Sequence, residues 1–125
     1  MKGLKTKTFE DLLVWQKAMN LVESIYRECR SGSLAKDWGL RDQLQRTAVS
    51  IPANIAEGYE RGFHKEYLRF LAIAKGSAGE LRCLIQLGQR VRHLDKSKSQ
   101  ELTGQTTEIS RMLKGLMQSL KEGKG

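Results

Sequence analysis

The sequence predicts an all-α protein, and two observations support that prediction. Apolar residues recur at spacings of three and four along most of the chain and do not alternate over any useful length, which is the pattern of amphipathic helices. The chain of 125 residues contains one proline, Pro52, and has the length of one domain with a modest core. We therefore expect residues 1–125 to form an antiparallel up-down-up-down four-helix bundle.

The first predicted helix spans residues 8–29. Thr8 offers a hydroxyl cap, and Asp11 follows three residues later as in a capping box. The apolar positions of this helix are Leu12, Trp15, Ala18, Met19, Val22, Ile25, Tyr26 and Cys29. The following Ser31-Gly32-Ser33 is a loop by composition.

The second predicted helix spans residues 40–61, with Gly62 as its left-handed cap. Its apolar face contains Leu40, Leu44, Ala48, Ile51, Ile55 and Tyr59. Pro52 lies inside this pattern and removes the hydrogen bond to the Ala48 carbonyl, so a kink is expected there.

The second helix also carries a polar face: Asp42, Gln43, Arg46, Thr47, Ser50, Asn54, Glu57 and Arg61. Several of these residues are four apart and suit a hydrogen-bonded network. Three interpretations remain open: a buried polar seam between helices or subunits, a surface that contacts RNA, and a solvent face with local ion pairs.

The third predicted helix spans residues 64–93 and has two apolar groups. The first group faces the bundle core: Phe63, Tyr67, Phe70, Leu71, Ala74, Ala78, Leu81 and Ile85. The second group, Ile73, Leu84, Leu87 and Val91, lies to one side and predicts a subunit interface. Gly76 and Gly79 each cost about 1 kcal/mol relative to alanine, so close packing of another helix is expected there.

The fourth predicted helix spans residues 97–121 and starts with Ser97 in a capping box. Its apolar seam consists of Leu102, Thr106, Ile109, Leu113, Leu116 and Leu120.

The formal net charge of +8 predicts an anionic partner such as nucleic acid. The third helix carries a basic stripe of Lys65, Arg69, Lys75, Arg82 and Arg90, which either contacts phosphates or is a solvated face.

No catalytic motif is recognisable, and we expect a protein that is not an enzyme and holds no metal or cofactor. Cys29 and Cys83 read as small core hydrophobes, and His64 and His93 as structural or solvated residues. The chain has no apolar run long enough to span a bilayer, so no membrane partner and a cytoplasmic location are expected.

Several motifs together resemble one known family. They are Phe9-Glu10-Asp11-Leu12, Val14-Trp15-Gln16-Lys17-Ala18, Gly39-Leu40, Gln43-Leu44 with Arg46, Ala48-Val49-Ser50-Ile51-Pro52, Asn54-Ile55-Ala56-Glu57-Gly58, Phe70-Leu71, Ile73-Ala74, Gly76-Ser77 and Glu80-Leu81. The chain resembles the bacterial four-helix bundle proteins encoded in intervening sequences of 23S ribosomal RNA genes, also called S23 ribosomal proteins. It is similar in fold to the accessory variability determinant of diversity-generating retroelements.

The resemblance implies a ring-like homopentamer with a basic surface that binds nucleic acid, and it brings no catalytic residues. Arg46, Ser50, Asn54, Glu57, Gly58 and Arg61 are implied to be structural or interface residues. The leading hypothesis is a homo-oligomer that binds RNA through phosphate contacts. The alternative is a protein-interaction adaptor that docks a partner such as a retroelement reverse transcriptase.

Overall fold

The computed structural model describes residues 6–123, and in that part of the chain it contains four α-helices and no strand. The helices are α1 (Leu13–Cys29), α2 (Trp38–Arg61), α3 (His64–Arg90) and α4 (Lys96–Lys121). Short 3-10 helices at Phe9–Asp11 and Ser33–Lys36 precede α1 and α2. The predicted all-α class and four-helix bundle are confirmed. None of the described helices is long and apolar enough to cross a membrane.

The first helix begins at Leu13 and not at Thr8 as predicted. Leu12 is extended, with a ψ of 123°, and it separates α1 from the 3-10 helix. The Asp11 carboxylate accepts hydrogen bonds from the backbone N–H groups of Lys7 (3.0 Å) and Thr8 (3.2 Å), so this motif caps the 3-10 turn. These two hydrogen bonds lower the pKa of Asp11.

Aspartates cap the second and fourth helices. The backbone N–H of Leu40 donates to Asp37 Oδ1 (3.1 Å), so α2 begins at Trp38, two residues before the predicted start. The backbone N–H of Lys98 donates to Asp95 Oδ1 (2.7 Å), so α4 begins at Lys96. The prediction that Ser97 caps this helix is therefore wrong.

The helices α2 and α3 end in different ways. Gly62 has a φ of 79° and closes α2 as the predicted left-handed cap. The third helix ends at Arg90 and does not reach His93, because the chain turns at Arg92, whose φ is 68°. The N–H groups of His93 and Leu94 then both donate to the Gly88 carbonyl, at 2.8 and 3.2 Å.

The core is a single apolar cluster to which all four helices contribute. The helix α2 packs mainly against α1 and α3, and α4 packs mainly against α1 and α3. Pro52 is buried within α2. The fully buried large side chains are Leu21, Ile25, Leu34, Leu44, Ile51, Ile55, Leu71, Leu81, Ile85, Leu102, Ile109 and Leu113.

Three residues that were predicted to lie in the core are exposed. Phe63 is 72% exposed, because it stands outside the helix at the N-cap of α3. Tyr26 is 36% exposed. Cys83 is exposed, whereas Cys29 is buried as predicted, and burial raises the pKa of the Cys29 thiol to about 11.

The glycines of α2 and α3 have different surroundings. A Cβ on Gly58 would lie 2.7 Å from Phe70 Cβ, so glycine is what lets α2 approach α3 at this point. Around Gly76 and Gly79, by contrast, no other part of the described chain lies within 4 Å of an added Cβ. The expected close packing at these two glycines is therefore not found within the described chain.

Candidate functional surfaces

The acidic residues of α3 lie on the side of the helix that faces α2. Glu80 Oε2 accepts hydrogen bonds from Gln43 Nε2 (3.0 Å) and Thr47 Oγ1 (3.4 Å) of α2. Glu66, further along the same side, forms an ion pair with Arg61 of α2 at 3.5 Å. Negative charge on α3 is therefore confined to its boundary with α2.

The predicted basic stripe divides into three parts. At 100° per residue, Lys75 and Arg82 lie within about 20° of each other and about 140–160° from Glu80, which places them on the α4 side of α3. By the same rotation, Lys65 and Arg90 lie within about 20° of each other and point away from the core. These four cations make no ion pair with any residue in the described part.

Arg69 differs from the other members of the stripe. Its guanidinium pairs with Glu66 at 3.7 Å, and its Cζ lies 4.8 Å from the centroid of the Phe70 ring. Arg69 is therefore engaged on the α2 side of the helix, and its charge is already balanced by a neighbouring carboxylate.

The helix α4 adds lysines that the sequence analysis did not identify as functional. Glu108 pairs with Lys17 of α1 at 3.3 Å, and Glu101 lies seven residues earlier on the same strip. Three lysines, Lys96, Lys114 and Lys121, fall within about 20° of one another and about 120–140° from Glu108. Because α4 packs against α1 on its acidic side, this lysine strip lies toward α3.

The two sets of cations form one surface, which we call the basic face. It consists of Lys65, Lys75, Arg82 and Arg90 of α3 with Lys96, Lys114 and Lys121 of α4. All seven are without an ion pair to a described residue. From Lys65 to Arg90 the face is about 37 Å long at 1.5 Å per residue. The α4 lysines could have been found in the sequence, because their spacings of 18 and seven residues place them on one side of a helix.

The second apolar group of α3 is exposed to solvent in the single chain. Ile73 is 41% exposed, Leu87 44% and Val91 48%, while Leu84 is half-buried and packs against the core. We call these four residues the apolar ridge. The subunit interface at these residues stays a prediction, and their exposure in the single chain leaves them accessible to a second copy.

Most of the polar face of α2 runs along the boundary with α3, whereas Asp42 and Arg46 lie toward α1. Thr47 is buried, and its neighbours bond locally: Ser50 Oγ donates to the Thr47 carbonyl and Asn54 Nδ2 to the Ser50 carbonyl, both at 2.7 Å. Glu57 accepts a hydrogen bond from Arg61 at 2.8 Å, as the spacing of four predicts. This face is therefore a partly buried seam near Thr47 and an exposed ion pair near Glu57.

Arg61 joins this seam to α3. It pairs with both Glu57 and Glu66, and its Cζ lies 4.8 Å from the centroid of the Phe70 ring. The hydrogen bond that Arg61 donates to the Glu57 carboxylate raises the pKa of Arg61. Arg46, in contrast, makes no ion pair with a described residue and does not bond to Ser50. Arg61 has a structural role within the chain, and Arg46 remains available to a partner.

A serine, a histidine and an aspartate connect the two loops at one end of the bundle. His93 Nδ1 lies 2.6 Å from Ser33 Oγ, and His93 Nε2 lies 2.9 Å from Asp37 Oδ2. Asp37 also caps α2. The hydrogen bond from the Leu40 N–H, and to a smaller extent the one with His93, lowers the pKa of Asp37. We interpret the group as a structural link between the α1–α2 and α3–α4 connections.

The comparison with protein families identifies the chain. The family model of the 23S rRNA-intervening sequence protein matches residues 10–115. The chain belongs to this family. The match covers all four helices except the last turns of α4, so the apolar ridge and every residue of the basic face except Lys121 lie within it.

A solved structure confirms the fold. The chain is similar to the crystal structure of a protein of unknown function from the S23 ribosomal protein family of Bacteroides thetaiotaomicron, with a TM-score of 0.77 at 22% identity. The similarity covers 84% of this chain and 98% of that chain. No curated protein matches the chain significantly.

Proposed function

We propose that this protein is a non-enzymatic homo-oligomer that binds RNA through phosphate contacts on its basic face. The observation that supports this most is the separation of charge on α3. The acids face α2, whereas every lysine and arginine of α3 except Arg69 faces α4 or solvent and makes no ion pair with a described residue. A cation with no internal partner keeps its full charge for a phosphate, and each such contact releases a counterion from the RNA.

RNA is the favoured nucleic acid because the family takes its name from an intervening sequence in 23S ribosomal RNA. We expect binding that does not depend on base sequence. The two most exposed aromatic residues, Trp38 and Phe63, are outside the basic face, and stacking on aromatic rings is how bases of single strands are usually held.

We further propose that the bundle is antiparallel, up-down-up-down, and that copies assemble into a ring, with five copies as the resemblance implies. Contacts such as Gly58 against Phe70 and Glu80 against Gln43 support the antiparallel pairing of α2 and α3. The exposed apolar ridge supports self-association. A ring repeats the basic face in every copy, which raises the avidity for a long phosphate backbone.

The test compares two triple variants that remove the same charge. The first is Lys75→Gln, Arg82→Gln and Lys114→Gln on the basic face. The control is Arg27→Gln, Arg30→Gln and Lys36→Gln, at three exposed residues of α1 and of the connection between α1 and α2. Fluorescence anisotropy with a structured RNA should show a loss of about 10- to 100-fold for the first and little change for the control. The slope of log affinity against log salt should fall by about 2–3. Equal affinities for both variants would contradict the proposal.

A protein-interaction adaptor is the second candidate function, and the exposed apolar ridge is the observation that favours it. In that case a protein such as a reverse transcriptase would cover the ridge. A wild-type protein that is monomeric and ignores RNA at every salt concentration would favour this candidate over the first.

A further inference from the structure

A shallow depression lies between α1 and α2, apart from both the basic face and the apolar ridge. Its volume is about 340 Å³, and it is lined by Tyr26, Asp42, Gln45, Arg46 and Val49. Tyr26 and Val49 are 36% and 40% exposed, so two large apolar side chains meet solvent here. Val49 lies about 120–160° around α2 from Gln43 and Thr47, the residues that contact α3. The molecule therefore has two separate apolar surfaces.

The depression and the apolar ridge lie at the same height along the bundle. Glu80, in the middle of the ridge segment, bonds to Gln43 and Thr47, and Leu40 is 4.0 Å from where a Cβ on Gly88 would stand. The ridge thus stands beside the segment of α2 that lines the depression, residues 42–49. Contacts between surfaces at equal height add no rise from copy to copy, and a head-to-tail assembly without a rise closes into a ring when the rotation from copy to copy also closes.

The angle between the two surfaces also suits a ring. Seen along its axis, the bundle is a square with one helix at each corner, and each pair of neighbouring helices forms one side. The α1–α2 side and the α2–α3 side are adjacent. Adjacent sides of a square face directions about 90° apart, so contact between unlike sides turns each copy by about 90° relative to the last, and a turn of that size closes a ring of a few copies. Surfaces on opposite sides would build a filament instead.

The charges beside the two surfaces are complementary. Two charged residues line the depression. Asp42 pairs with Arg41 at 3.3 Å, whereas Arg46 makes no ion pair with a described residue. Glu80 lies among the ridge residues, and the described chain offers it only the neutral side chains of Gln43 and Thr47. Contact between ridge and depression would bring the guanidinium of one copy to the carboxylate of the next.

We infer that the apolar ridge of one copy seats in the α1–α2 depression of the next copy, with Arg46 of one copy paired to Glu80 of its neighbour. This inference rests on the proposed self-association. It identifies a head-to-tail interface built from two different surfaces, in contrast to a two-fold dimer in which one surface meets itself.

The test uses one variant for each surface, Leu87→Asp on the ridge and Val49→Asp in the depression. Both side chains are already partly exposed, so the monomer should retain its helical circular dichroism. Light scattering should report a monomer for each variant alone. An equal mixture should give the mass of two copies, because Val49→Asp keeps an intact ridge and Leu87→Asp keeps an intact depression. Leu13→Asp, at another exposed apolar residue, is the matched control and should keep the wild-type mass.

Other masses have distinct meanings. A wild-type protein that is itself monomeric would overturn the proposed self-association and this inference with it. A wild-type oligomer whose mass is unchanged by Val49→Asp, or two variants that stay monomeric when mixed, would overturn the head-to-tail interface alone.

A charge exchange tests the same interface without introducing charge into an apolar site. Arg46→Glu and Glu80→Arg should each lower the mass at moderate salt, and the double variant should restore it. A double variant with a lower mass than either single variant would contradict the pairing.

Discussion

The two sides of α3 differ in how their charges are used. On the α2 side, Glu66 pairs with Arg61 and Arg69, and Glu80 accepts hydrogen bonds from Gln43 and Thr47, so both carboxylates are bonded to residues of the same chain. On the α4 side, Lys75 and Arg82 lie beside a second strip of lysines, and neither of them pairs with a carboxylate in residues 6–123. One helix therefore holds the bundle together along one side and offers positive charge to a partner along the other.

This difference shows why net charge alone is a poor guide to a binding surface. Nothing in the sequence distinguishes the five cations of the predicted stripe. In the structure, however, Arg69 is balanced by Glu66, and the other four have no ion pair to a described residue. What matters for phosphate binding is the charge left over after internal pairing, because a paired cation must give up its partner to contact a phosphate.

The largest expected effect concerns how closely helices pack on each side of α3. Gly58→Ala places a Cβ 2.7 Å from Phe70 Cβ, so it should lower the free energy of unfolding by about 1–3 kcal/mol. At Gly79 no other part of the described chain lies within 4 Å of an added Cβ, so Gly79→Ala should raise the free energy of unfolding by about 0.5–1 kcal/mol because alanine favours the helix. Urea unfolding measures both. Stabilisation by Gly58→Ala would show that α2 and α3 are not in close contact at this point.

The next effect separates paired from unpaired cations. Lys75→Gln should weaken RNA binding several-fold and lower the salt slope by about 1, as expected for one lost phosphate contact. Arg69→Gln should leave both quantities unchanged, because Glu66 already balances that charge. Anisotropy titrations at three or more salt concentrations make the comparison. An equal loss for both variants would mean that the ion pair does not withhold Arg69 from RNA.

A smaller effect concerns the link at the end of the bundle. The pKa of Asp37 is lower in the folded protein than in the unfolded chain, so the folded state binds fewer protons as the pH falls toward the ordinary pKa of aspartate. The stabilisation by the Asp37 carboxylate is thus present above the ordinary pKa of aspartate. It is lost as the pH falls through the lowered pKa of Asp37 in the folded protein. Asp37→Asn keeps a capping oxygen but removes the charge that faces His93.

We therefore expect Asp37→Asn to lower Tm by a few degrees at neutral pH and by progressively less below about pH 4. Glu23→Gln, at an exposed acid for which the structure gives no ion pair, should show no such trend. A Tm difference for Asp37→Asn that is constant from pH 3 to pH 7 would rule out this role for the Asp37 carboxylate.

The smallest effect uses a natural reporter in the basic face. Cys83 is exposed and lies within about 20° of the strip formed by Lys65 and Arg90, whereas Cys29 is buried. A thiol reagent should modify one cysteine per chain in the native protein, and structured RNA at low salt should slow that reaction. If RNA binds but leaves the rate at Cys83 unchanged, the RNA lies elsewhere on the molecule.

The sequence was sufficient to predict the helices and most of the core, because a spacing of three and four places Leu71, Ala74 and Ala78 on one face whatever their partners are. It was less informative at helix ends. Ser97 and Asp95 are both good capping residues, and which of them caps α4 depends on the backbone leaving Leu94.

The surfaces were only partly predictable for a different reason. Rotation about one helix separates Glu80 from Lys75, but the sequence does not say which neighbour each side meets, and so it did not distinguish Arg69 from the other cations. The lysine strip of α4 was visible as a spacing, yet its meaning depends on α3 lying beside it. The depression at Val49 forms only where α1 and α2 are in contact, so the sequence of neither helix alone predicts it.

Light scattering of the wild-type protein, alone and with a structured RNA at low and moderate salt, tests the central claim most directly. The account predicts an oligomer without RNA at both salt concentrations, and a further gain in mass with RNA that is large at low salt and fades at moderate salt. A monomer whose mass is the same with and without RNA at both salt concentrations would contradict it.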